Sequence, residues 1–121
     1  MEFHRDATDP DLLIFNADSG IDSYSESPVL DELLHTIESG PRGVIVDCVA
    51  LGYISSVGLT TLMRLHKRMS ERSGHVKLAN VAGPLARLLA VTRLNQVLLA
   101  YPSVEAAREA FRSETGGAPV K

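Results

Sequence analysis

Tyr53-Ile54-Ser55-Ser56-Val57-Gly58-Leu59-Thr60-Thr61-Leu62 puts two hydroxyls and a glycine where an apolar run gives way to helical spacing. Upstream, Gly43-Val44-Ile45-Val46-Asp47-Cys48-Val49 is short, apolar and β-branched, the pattern of a strand covered on both faces. Downstream, Leu59, Leu62, Met63, His66 and Met69 recur at helical intervals, which predicts a helix from about Val57 to Arg72. The serines therefore fall at or beside the helix N-cap. Free backbone N–H groups and the positive end of the helix dipole favour an anion there. The position can hold or receive a phosphate, and a modified serine would gain charge without breaking the helix.

Outward from this turn the chain alternates. Leu12-Leu13-Ile14-Phe15 opens the first convincing strand, with a short edge strand expected around Phe3. Ser27-Pro28 reads as an N-cap followed by proline at the first helical position, and Leu30, Leu33, Leu34 and Ile37 form one face of that helix. Gly40-Pro41 ends it. A strand over Val76 to Val81, a helix opened by Gly83-Pro84, a strand over Val97 to Tyr101 and a helix capped by Ser103 complete the order. This succession requires a largely parallel sheet of four to five strands with four helices, an α/β fold. Parallel strands place their carboxyl-end loops side by side. The segments Ser19–Ser23, Leu51–Ser56 and Asn80–Gly83 should therefore share one end of the sheet. The expected domain spans 1–112, with its core starting near residue 12, and 113–121 reads as a disordered tail.

The composition narrows the function. With 121 residues the chain suits one core, and a net charge of −3 provides no basic field for nucleic acid. No apolar run approaches a membrane span and the first residues lack a signal-peptide core, so a cytoplasmic protein without membrane insertion is expected. The single Cys48 sits among apolar neighbours as an inert thiol, and the four histidines show no ligand spacing. Neither a metal nor a cofactor is expected, and no glycine-rich phosphate loop occurs.

The stretch Val44-Ile45-Val46-Asp47 … Tyr53-Ile54-Ser55-Ser56-Val57-Gly58-Leu59 resembles the STAS domain of bacterial anti-sigma factor antagonists. In that family an apolar strand ending in Asp leads to an aromatic-apolar-Asp-Ser-Ser-Gly-Leu turn. The likeness continues through Gly74–Val81, Leu88–Leu94 and Tyr101–Ala107, covering roughly residues 12 to 112. It implies a non-enzymatic regulator that works by partner switching. The unphosphorylated form would bind an anti-sigma factor with serine kinase activity and so free a sigma factor. Phosphorylation would end the contact, and a phosphatase is a further partner the scheme allows. Ser56 occupies the family's phosphorylated position, with Ser55 as the alternative. Asp22, Ser55, Ser56, Gly58 and Thr60 are the expected partner-binding residues. Three departures are specific: Ser55 replaces the family Asp, Val57 stands where a second serine or another small residue is common, and Ser19 replaces a glycine before Asp22.

Each residue also has a plainer reading. Ser55 and Ser56 could simply cap a helix, a role worth about 1 kcal/mol. Asp22 could support a turn, and Asp47 could hold loop amides, since no second acidic residue accompanies it as cation binding would require. Arg64, Lys67, Arg68 and Arg72 form a stripe on the second helix that could be solvated or could meet an acidic partner, with only Glu71 expected to oppose it. Gly58 reads as clearance beside the serine, so that Gly58→Leu should preserve stability and block binding. The alternative is close packing against the sheet. A serine hydrolase or transferase lacks a base at any neighbouring loop. The runner-up function is a STAS adaptor that is not phosphorylated and serves a transporter, lipid-trafficking or stress-signalling complex.

Overall fold

The computed structural model describes residues 2–18, 21 and 28–116. Five strands, β1 (Glu2–Arg5), β2 (Leu12–Asn16), β3 (Gly43–Asp47), β4 (His75–Ala79) and β5 (Leu99–Tyr101), form one sheet whose spatial order follows the chain. β1 runs antiparallel to β2 and every other pairing is parallel. Four helices, α1 (Pro28–Ile37), α2 (Ser56–Ser70), α3 (Gly83–Val91) and α4 (Val104–Gly116), follow β2, β3, β4 and β5 in turn. α4 continues past the boundary at 112 expected from sequence.

Strand alternation divides the core between the two faces of the sheet. Leu13, Phe15, Val44, Val46, Val76 and Leu78 point to one side and pack with Leu30, Leu33 and Ile37 of α1, Leu62, Leu65 and Met69 of α2, and Leu85 and Leu89 of α3. Three helices share this face because successive parallel strands advance in one direction, and crossovers of one hand put their helices on one side. The intervening residues Leu12, Ile14, Ile45 and Ala79 point the other way, where Ala107 and Phe111 of α4 cover them. Gly43 is needed at this second contact: a Cβ there would collide with the Phe111 ring.

The α4 face also contains Lys77, a residue expected at surfaces. It is 2% exposed, with its ammonium 4.8 Å from the centre of the Phe111 ring and 5.5 Å from that of Tyr101. The faces of the aromatic rings attract the cation. A second buried charge ties β1's end to α4. Asp6 accepts from Arg108 Nε at 2.7 Å, from Nη2 at 2.8 Å and from the Thr8 hydroxyl at 2.8 Å. The guanidinium beside it holds the Asp6 carboxyl below the usual range against the opposing effect of burial. Arg42, leading into β3, similarly grips Asp9 at 2.7 Å and lowers its pKa.

Candidate functional site

The carboxyl ends of β2, β3 and β4 meet at Asp47. Its Oδ1 accepts from the Val49 amide at 3.1 Å and from Asn80 Nδ2 at 2.9 Å, while Oδ2 lies 3.5 Å from Asn16 Nδ2. The aspartate therefore fastens the loops at this end of the sheet, as in its plainer reading, and no local pattern marked Asn16 and Asn80 as its partners. Asn80 reaches it from a left-handed backbone conformation, φ 60°. Beside this anchor, Cys48 is buried, and burial together with the Asp47 charge pushes its thiol up to about 12. A thiol so disposed toward protonation is no nucleophile at neutral pH.

The loop after β3 leads into α2 through the two serines, and the structure separates their roles. Ser55 is the N-cap, in extended conformation, with its hydroxyl accepting from the Gly58 amide at 3.4 Å. Ser56 is the first helical residue. It is exposed, and among the described residues its hydroxyl makes no hydrogen bond, although its carbonyl accepts from Thr60. Thr60 is likewise exposed one turn on. Tyr53 (65% exposed) and Val57 (38%) flank the serine, so the free hydroxyl stands within an apolar surface. Among the described residues the arrangement offers an acceptor with no base hydrogen-bonded to it. Among the described residues, no group of three or more His, Cys, Asp or Glu is placed to hold a metal ion.

Gly58 sits differently from the exposed residues around it. It is buried on the inner side of α2, together with Thr61, Leu62, Leu65 and Met69, and does not belong to the exposed start of the helix. That burial favours the close-packing alternative. Gly58→Leu is expected to lower stability by about 1–2 kcal/mol, because overpacking outweighs the gain in helix propensity. Thermal unfolding of the variant checks this, and an unchanged or higher melting temperature would restore Gly58 to the surface reading.

Asp22 lies outside the described residues, as do its neighbours Gly20 and Ser23. The basic stripe on α2 is better opposed than the sequence indicated, since Glu38, just beyond α1, pairs with Arg68 at 2.9 Å. A shallow groove between Tyr53 and α3, lined also by Gly83, Pro84, Arg87, Leu88 and Val91, was not anticipated. Its only signal in the sequence was the pair of apolar residues, Leu88 and Val91, one helical turn apart.

Solved structures share this architecture. A crystal structure of a candidate anti-sigma factor antagonist from Thermotoga maritima superposes with a TM-score of 0.72 at 20% identity, covering 91% of this chain and 92% of that one. An anti-sigma factor antagonist from Mycobacterium paratuberculosis gives 0.66 at 19% identity, with 91% of each chain covered. A sulfate transporter family protein from Wolinella succinogenes gives 0.67 at 17% identity, over 80% of this chain and 81% of that one. Identities this low speak for the fold alone. Among curated proteins no sequence match is found. The profile of the STAS domain family matches residues 5–107, a span from the end of β1 into α4 that includes the Asp47 anchor and both serines, and the chain belongs to that family.

Proposed function

We propose that the protein is an anti-sigma factor antagonist that binds an anti-sigma factor having serine kinase activity and is released by phosphorylation of Ser56. The observation that carries this reading is the free, exposed Ser56 hydroxyl at the first turn of α2, flanked by the apolar side chains of Tyr53 and Val57. The fold likeness to two anti-sigma factor antagonists supports it. The chemistry is electrostatic. A phosphoserine carries about −1.5 to −2 charges at neutral pH, and a partner packed over Tyr53 and Val57 would have to desolvate that charge. In the free protein the same phosphate is hydrated and lies at the positive end of α2, so the domain tolerates it. The protein acts by binding, in the cytoplasm, with Ser55, Thr60 and Asp22 completing the contact surface. Gly58 contributes by packing beneath it.

The test is incubation of the protein with the serine-kinase anti-sigma factors encoded in its genome, with ATP, followed by peptide mapping. A single phosphate on Ser56 is the expected result. Phosphate found only outside residues 53–61, or none at all, would discard the switching mechanism. Two observations favour the adaptor in that event: Ser55 replaces the acidic cap usual beside the acceptor, and a sulfate transporter family protein is also similar in fold.

A further inference from the structure

We propose that the groove between Tyr53 and α3 docks an amphipathic, acidic segment of a protein partner. The groove has a volume of about 490 Å³, opens to solvent, and is lined by Tyr53, Gly83, Pro84, Arg87, Leu88 and Val91. Tyr53 and Val91, 65% and 75% exposed, are among the most exposed large apolar side chains of the described residues, and both belong to this one concavity. Apolar area concentrated in a concave site marks a binding surface more than scattered exposure does.

Charge specifies the occupant. No Asp or Glu occurs from Arg72 through Val104, although the chain as a whole is acidic. Arg87, within the groove, pairs with no carboxylate among the described residues, and Arg93 follows α3. α3 itself starts without a side-chain cap at Ala82, so the positive end of its dipole adjoins Gly83 and Pro84. Among the described residues the apolar trough is bordered by positive charge, which complements a helix with leucine-like residues on one side and Asp or Glu beside them. A second copy of this chain is the wrong partner for a two-fold pairing of this groove with itself, since none of its lining residues is a carboxylate that could answer Arg87. A bilayer calls for a protruding apolar surface, and this one is recessed.

The inference deepens the binding reading above by naming the chemistry of the partner segment. Its test uses neither an anti-sigma factor nor phosphate, so either proposal can fail while the other stands. Two synthetic amphipathic peptides with the same leucine face, one flanked by Glu and one by Lys, are titrated into the isotope-labelled full chain and amide shifts are followed by NMR. The Glu peptide is expected to bind at least about tenfold more tightly, shifting the amides of Tyr53 and of residues 83–91. Arg87→Glu should abolish that preference, and Val91→Asp should weaken binding. Both positions are exposed, and unchanged spectra of the free variants would report an intact fold. Equal binding of the two peptides, shifts confined to other surfaces, concentration-dependent shifts of the same amides without peptide, or a response only to anionic vesicles would each overturn the proposal. The third outcome would identify a second copy as occupant and the fourth a membrane.

Discussion

Arg108→Ala is expected to cost about 3 kcal/mol of stability and lower the melting temperature by roughly 12 °C. Asp6 is only 4% exposed, and both of its oxygens accept from the guanidinium, which is itself partly exposed. Among the described residues, truncation would leave a buried carboxylate supported by the hydroxyl and the backbone amide of Thr8. The effect depends on pH with a defined sign. In the wild type the carboxyl has a lowered pKa, chiefly through the Arg108 hydrogen bonds. Its stabilising contribution is therefore fully present above the unfolded value near 4 and is lost as the pH falls through the lower folded value. In the variant, burial without the cation favours the protonated acid, so acid relieves the defect. The gap between the two melting temperatures should accordingly narrow from pH 6 to about pH 3. A gap that stays constant across this range would assign the loss to packing of the arginine stem instead. Asp6→Asn combined with Arg108→Ala, which removes the buried charge, should recover part of the deficit.

Ser56→Asp is expected to reduce affinity for the anti-sigma factor about 100-fold, or about 2.7 kcal/mol, with no loss of thermal stability. The two effects separate because Ser56 is exposed at the first position of α2, where a carboxylate is favoured by the helix dipole by about 0.3–1 kcal/mol. Ser56→Ala should bind as the wild type does and resist phosphorylation. Ser55→Ala offers the contrasting control. It removes the α2 cap at a cost of about 1 kcal/mol while retaining the acceptor. Calorimetric titration of the four proteins distinguishes the cases. Equal affinity of the wild type and Ser56→Asp would favour the adaptor reading.

The sheet and its helices were legible because burial there follows periodicity. The Val44–Val46 run, the Leu30/Leu33/Ile37 face and the Ser103 cap, whose hydroxyl accepts from Ala106 N at 3.0 Å, each carry their reason locally. Charges inside the fold were not legible. Asp6 and Arg108 are 102 residues apart and leave no pattern in any window. Lys77 sits in a strand where a basic residue suggests an exposed face, and only the approach of Phe111 from α4 makes that position an interior one. At the site, spacing placed both serines near a helix start without saying which would be the cap. Gly58 illustrates the same limit: a small residue beside a surface serine and a small residue beneath a helix read alike until burial distinguishes them.

The agreement between strand order and chain order has a consequence for the folding route. Each strand of the sheet finds its neighbour across one connecting segment, with Leu12 paired to Gly43, Gly43 to His75 and Lys77 to Leu99, so every pairing closes a loop of intermediate length and none spans the whole chain. The contacts of α4 with the start of the chain are the exceptions, and the Asp6–Arg108 pair among them bridges 102 residues. Such a contact is entropically costly until the intervening sheet exists, which places its formation after the rate-limiting barrier. Loosening it would then speed unfolding while leaving the folding rate nearly unchanged. The ion pair that joins the two ends of the domain would thus govern how long the native state lasts more than how quickly it is reached.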